Sequence, residues 1–311
     1  MVGKYATETL LADKGGMDRA AAILRDGGLV AVPTETVYGL AARADDDRAV
    51  ARIYEAKGRP SFNPLIVHVR DVEQARRLAH LSPEAEALAA AHWPGSLTLV
   101  VPRKGDSGLA DAVTAGLPTV ALRMPDHPLM GALLAKVNFP VAAPSANRSG
   151  FISPTSANHV LASLDGRIDA VLDGGECRSG VESTIVAVRE SGGLEVLRPG
   201  PVTIATGQAP LPGDSIEAPG QLASHYAPGK PVRLNAVKVA PDDFTIGFGP
   251  MPGDCTLSAS GDLEEAAARL YACLHLGAAS AKPRIAVAPI PEEGIGIAIN
   301  DRLRRAATPP D

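Results

Sequence analysis

The chain reads as an α/β protein: a large N-terminal unit on a mixed sheet, a long linker, and a smaller α/β unit behind it. Three observations predict this. Strand and helix patterns alternate irregularly over residues 1–205, which favours a mixed sheet over a regular parallel one. Residues 206–229 are rich in Pro and Gly and hold no sustained periodicity, so they read as a linker. The alternation then resumes over 230–311, and 311 residues suit about two domains with ample core.

Taken in order, a helical pattern over 17–27 stops at Gly27-Gly28, and a strand over 29–32 leads into Pro33-Thr34-Glu35-Thr36-Val37-Tyr38-Gly39-Leu40. Asp45-Asp46-Asp47 starts the next helix, with Ala49, Val50, Ile53 and Tyr54 at helical spacing. Gly58 suits the left-handed residue that ends it, which puts Lys57 in the last turn and Arg59 just beyond, held extended by Pro60. Ser61 and Asn63 follow, and then a short apolar strand in which His68 shares a face with Ile66 and Arg70.

Residues 71–92 carry two helical patterns divided at Ser82-Pro83, with Ser82 as N-cap. After the turn Trp93-Pro94-Gly95 come strands over 96–102 and 119–123, the second with Thr119, Ala121 and Arg123 on one face. A short helix over 128–136 precedes a strand over 140–144 that runs into Ser145-Ala146-Asn147. A helix over 155–164, a strand over 168–172 and a hairpin over 183–189 and 194–197 complete the unit, ending in Arg198-Pro199. The linker holds Ser224-His225-Tyr226-Ala227-Pro228, and the second unit shows a strand over 231–234, a helix over 262–277, a strand over 284–288 and a helix over 297–307.

A net charge of −5 with pI near 5.8 argues against a broadly basic nucleic-acid binder, while leaving room for a local basic cleft. Cys177, Cys255 and Cys273 lie far apart with no C-x-x-C pair, so neither a zinc site nor a disulfide framework is expected. Sparse, odd-numbered cysteines fit a reducing compartment. The first 16 residues are charged throughout, unlike a secretory signal, and no apolar run reaches the ~18 residues of a membrane span. A cytoplasmic protein is expected.

Three segments end strands in polar, restricted loops: Thr34-Glu35-Thr36, Lys57 to Asn63, and Ser145-x-Asn147. Arg123 and Arg198 add cations at strand ends. Singly, each has a plain reading: helix-dipole cations, turn and cap residues, a core histidine, structural ion pairs. Together, cations with Ser, Thr and Asn donors are what a nucleotide's phosphates require. No P-loop and no strand-linked G-x-G-x-x-G is present, so ATP would be held by side chains on an open sheet. Ser145 with His68 lacks the G-x-S-x-G elbow and an identifiable acid, which counts against a serine hydrolase.

These blocks, with Val120-Ala121-Leu122-Arg123-Met124-Pro125, Gly180-Val181-Glu182-Ser183-Thr184-Ile185, Leu197-Arg198-Pro199-Gly200 and, in the tail, Ala298-Ile299-Asn300-Asp301-Arg302-Leu303, resemble the long, two-domain form of the YrdC family. The resemblance runs nearly unbroken over residues 20–205. It implies an open, twisted mixed sheet with helices in a catalytic domain over 1–205, a linker or lid over 206–229, and a small α/β C-terminal domain over 230–311. It also implies a nucleotidyltransferase that makes threonylcarbamoyl-AMP from L-threonine, bicarbonate and ATP. Proteins that transfer the threonylcarbamoyl group onto tRNA would be partners, with tRNA itself a further candidate and no membrane.

By the family pattern, L-threonine is held by Thr36, His68, Arg123, the Ala143 backbone and Ser183. ATP is held by Arg59, Asn63, Thr119, Ser145, Asn147, Ser153, Arg198 and Tyr226. Lys57 and Arg59 supply catalytic charge, and Mg²⁺ is carried by phosphates rather than by protein ligands. Two other classes compete: a non-catalytic RNA-binding module using the same basic concavity, and a carbamoyl transferase. Net acidity and missing aromatic stacking motifs count against the first, and missing zinc-finger cysteines against the second.

Overall fold

The structure, a computed structural model, describes residues 6–189, 193–205, 216–221 and 224–309. The first unit runs β1 (Glu8–Leu11), α1 (Lys14–Arg25), β2 (Val30–Val32), β3 (Gly39–Arg43), α2 (Asp47–Lys57), β4 (Ile66–His68), α3 (Val72–Leu78), α4 (Pro83–His92) and β5 (Leu97–Pro102). It continues through α5 (Asp111–Thr114), β6 (Thr119–Arg123), α6 (Pro128–Val137), β7 (Val141–Ala142), α7 (Ala157–Leu164), β8 (Ala170–Asp173), β9 (Thr184–Val188) and β10 (Leu194–Arg198). The second comprises β11 (Val232–Arg233), β12 (Asp243–Gly247), β13 (Cys255–Thr256), α8 (Leu263–Ala279), β14 (Arg284–Val287) and α9 (Gly296–Ala307).

The first ten strands form one mixed sheet in the order β1-β8-β2-β3-β7-β4-β6-β5-β9-β10, with β4 parallel to β6 and β7 antiparallel to both its neighbours. The last four form a separate sheet, β11-β14-β12-β13, parallel throughout. The mixed sheet expected from the irregular alternation is therefore present.

Period-two alternation decides what each face of the large sheet meets. Leu40, Ala42, Val67, Leu99 and Leu122 point into one core with Val50, Ile53, Ala75, Ala85, Ala89 and Val160 of the helices. On the opposite face, Val30, Val32, Ala41 and Val141 pack against Ala20, Leu24, Met130 and Leu134 of α1 and α6. That second helical layer stops half-way. Beyond β7, Ile66, Val100, Ala121 and Ile185 instead meet Ala218 of the linker. Half of one face is thus left for something other than a helix.

Several boundaries follow from local chemistry. Asp46 caps α2 by accepting from the Arg48 and Ala49 N–H groups, and Gly58 ends it at φ 60°. Ser82 caps α4 through the Ala85 N–H.

Other expectations are corrected. α1 begins at Lys14, three residues before the apolar repeat, because the Asp13 carboxylate caps it at the Gly16 N–H. β1, β3, α5, β12 and β13 went unread. Gly-Leu-Ala-Ala-Arg of β3 is buried on both faces for four of its five residues and so shows no alternation. Arg70 lies past the end of β4 and pairs with Asp71 at 2.9 Å, rather than sharing the His68 face. Cys255 and Cys273 are bonded, at 2.07 Å, because α8 returns across β13; Cys177 is free and buried. The cysteine count accordingly no longer argues for a reducing compartment.

Candidate active site

The uncovered half-face holds a cavity. β4 and β6 run parallel and both deliver their last residue to it, His68 in register with Arg123. Strand ends on either side add Thr34, Thr36, Ala143, Ser145, Ser183 and Arg198, and the loop after α2 adds Arg59. Pro219, Gly220, His225 and Tyr226 close it from the linker. A side chain at Gly220 (φ +86°) would meet Arg198 Cδ at 2.9 Å and Tyr226 Oη at 3.0 Å, so a bare backbone is needed there. With the linker in place about 40 Å³ of solvent space remains.

Each arginine is held by a different set of acceptors. Arg123 donates to Glu35 Oε1 at 2.5 Å, Thr36 Oγ1 at 3.0 Å and the Gly95 carbonyl at 3.2 Å. Arg59 donates to Asn63 Oδ1 at 2.6 Å and to the Asn63 and Pro64 carbonyls. Arg198 donates to the Ser183 carbonyl and hydroxyl and, at 3.3 Å, to the Pro219 carbonyl. Burial strips water from Arg59 and pulls its pKa down to about 10, and it lowers that of Arg198. Guanidinium remains charged at that value.

His68 is buried, and burial with the nearby Arg123 charge pushes its pKa down to about 3, so the imidazole is neutral. Among the described residues, neither of its ring nitrogens has a partner, nor do Asn63 Nδ2, Asn147 Oδ1, His225 Nδ1 and Tyr226 Oη. Buried polar atoms are nearly always satisfied, so a cluster of orphans beside three guanidinium groups marks where a polar ligand completes the fold.

Five expected site residues do not line the cavity. Lys57, whose pKa burial and then Arg59 hold well below normal, donates to the carbonyls of Ser145 and Asn147 and so pins the loop that carries Ser145. Asn63 braces Arg59. Asn147 donates to the Arg148 and Phe151 carbonyls, Ser153 to Glu182 Oε1 at 2.6 Å, and Thr119 opens β6 opposite Pro102. Ala143 does line the cavity, but its N–H is engaged by the Ile66 carbonyl.

Family models match residues 22–200, described as telomere recombination (Sua5, YciO, YrdC), and residues 185–308, described as the C-terminal domain of threonylcarbamoyl-AMP synthase. The chain belongs to the Sua5/YciO/YrdC family. Among curated members, threonylcarbamoyl-AMP synthase of Bacillus subtilis strain 168 is 40% identical, over 97% of this chain and 95% of that one. The enzyme of the same name from Pyrococcus abyssi is also 40% identical, over 93% of each. The solved structure of P. abyssi Sua5 complexed with L-threonine gives a TM-score of 0.87 at 36% identity, covering 97% of this chain and 98% of that one.

Two carboxylates at the site escaped the sequence reading as functional residues, although both lie inside motifs it singled out. Glu35 accepts from Arg123 and, at 3.1 Å, from Ser96. Burial pushes its pKa up, but the charge and hydrogen bond of Arg123 outweigh that and leave it below normal. Glu182 lines the cavity and binds Arg302 of α9 at 2.8 Å. A Glu immediately ahead of a site residue, Thr36 or Ser183, is the signal the sequence offers for either.

Proposed function

We propose that this protein makes L-threonylcarbamoyl-AMP, the product for which its relatives are named, from L-threonine, bicarbonate and ATP with release of pyrophosphate. The observation that carries the reading is that His68, His225 and Tyr226 hold buried polar atoms with no partner among the described residues, beside Arg59, Arg123 and Arg198 in a linker-covered cavity. Arg123 would take the threonine carboxylate, with Thr36, neutral His68, the Ala143 carbonyl and Ser183 around the rest of the amino acid. Arg59, Asn63, Ser145, Arg198 and Tyr226 would hold ATP, with Thr119, Asn147 and Ser153 beside them. Lys57 would act by fixing the Ser145 loop.

Threonine's neutral amine captures the bicarbonate carbon and water is lost, giving a carbamate. A carbamate oxygen then bonds to the α-phosphorus while the bond from that phosphorus to the β-bridging oxygen breaks, and pyrophosphate leaves. Alignment and neutralisation of charge do this work, with no protein nucleophile. Both site carboxylates pair with arginines, so Mg²⁺ would enter with ATP and supply positive charge to its phosphates.

The segment bearing Tyr226 serves as a lid that keeps water from the mixed anhydride. On this reading residues 1–205 form the catalytic unit, 206–229 the linker and 230–311 the C-terminal unit. The product passes to proteins that modify tRNA. No helix among the described residues is long and apolar enough to cross a membrane, and a cytoplasmic location fits the reaction.

The test is pyrophosphate release with each substrate omitted in turn. Release that needs both L-threonine and bicarbonate supports the synthase; threonine-independent release, or none from folded protein, overturns it.

A further inference from the structure

The cavity's charge is incomplete without the second unit. Glu182 borders a site read as binding a polyanion, and a bare carboxylate there would repel phosphate. Its oxygens are fully engaged. Oε1 accepts from Ser153 at 2.6 Å and from the Tyr271 hydroxyl at 3.0 Å, and Oε2 accepts from Tyr271 at 2.8 Å and from Arg302 Nε at 2.8 Å. Tyr271 lies on α8 and Arg302 on α9, so two donors cross from the small unit, one of them charged and the other a single O–H shared between both carboxylate oxygens. Saturation of this kind leaves Glu182 nothing to offer a substrate directly.

The same side chains reach the other edges of the site. Arg302 donates to the Pro199 carbonyl at 2.9 Å, one residue past Arg198. Its guanidinium carbon sits 5.5 Å from the Tyr226 ring centroid, and the rings of Tyr226 and Tyr271 stack at 5.7 Å. Close docking is built into the backbone: a side chain at Gly180 (φ +68°) would meet the Ala267 carbonyl oxygen of α8 at 2.2 Å. Tyr271 and Arg302 have 0% exposure, so the joint is fully buried.

We propose that Arg302 and Tyr271 are positioning residues of the reaction. Arg302 neutralises Glu182 so that the site accepts ATP, and the two together hold Tyr226 in the closed linker. The inference rests on the synthase reading and assigns the C-terminal unit a role in it: it sets the charge and closure of a site built by the other unit.

The experiment compares the unsubstituted protein with Arg302→Met, Glu182→Gln and the double variant. KM for ATP, KM for L-threonine and kcat are measured on protein shown to be folded by thermal melting. Arg302→Met should raise KM for ATP by about tenfold with KM for threonine within about twofold, and removing the second charge in the double variant should restore most of that loss. Unchanged kinetics in folded Arg302→Met, or a double variant as impaired as the single one, overturns the proposal.

Tyr271→Phe keeps both charges and guards against a variant that fails to fold. It should speed protease cleavage within residues 206–229, and cleavage at the unsubstituted rate overturns the closure role. If the unsubstituted protein shows no threonine-dependent release, the synthase reading fails, while the protease result still decides whether the joint holds the linker.

Discussion

Arg123–Glu35 and Arg302–Glu182 are both buried arginine–glutamate pairs, at 2.5 and 2.8 Å, with every side chain at most 8% exposed. In length and burial they are alike. They differ in what is left over. Among the described residues Glu35 keeps one oxygen, Oε2, with no partner, whereas both oxygens of Glu182 are bonded. A buried carboxylate with a spare oxygen is costly unless something else completes it, and the fold keeps that arrangement beside the cavity. The completed pair joins α9 to the loop ahead of β9.

The largest effect should come from breaking the joint. Glu182→Ala leaves Arg302 with Asp301 alone and takes the acceptor from Ser153 and Tyr271, and should cost about 3–5 kcal/mol of stability in urea unfolding. A loss no greater than that of Glu35→Ala would erase the contrast between the pairs. Next, Glu35→Gln keeps the shape but loosens Arg123, and should weaken L-threonine binding in calorimetry by about tenfold, the effect of roughly one charge-assisted hydrogen bond. Glu182→Gln, by contrast, should leave threonine affinity almost unchanged.

Acid sharpens the comparison. Burial holds His68 and His225 at about 3 and His275 at about 4, below the ordinary 6.5, so the unfolded chain binds more protons once pH drops under 6.5. Stability should therefore decline progressively from pH 6.5 downward. For Glu182, burial pushes the carboxyl up, but Arg302 and Arg198 hold it at about 2 against an ordinary 4.5. Its contribution is complete above 4.5 and is lost as pH falls toward 2. Urea midpoints should thus slope down in two stages, and a level midpoint between pH 6.5 and 5 would contradict the burial of the histidines. The smallest effect is at the surface: Lys14→Ala removes an exposed pair with Asp18 and should leave the thermal midpoint unmoved.

Much of this was legible in the sequence, for stated reasons. Helix caps and Gly58 announce themselves through local chemistry, and the motif loops through unusual pairings of Pro with cations. What the sequence hides is relational. Nothing in Glu182 says that Arg302, 120 residues later, will meet it, and nothing in Lys57 says that its ammonium will turn to the Ser145 loop. β3 was missed because strands buried on both faces lose their alternation, and Cys255–Cys273 because the partners come together only after α8 doubles back.

The strand order has a consequence for how the chain is born. Glu8 of β1 finds its partner in Ala170 of β8, and β3 waits for Val141 and Ala142 of β7 before it can pair with anything on that side. A nascent chain therefore carries its first strands with open edges until more than half of it has left the ribosome, and pairings so distant are slow to close. The open edges close when β7 and β8 arrive, while the half-face proposed to bind substrate waits for the linker behind them. For this protein, protection during synthesis comes from one late segment and protection of the reaction from a still later one.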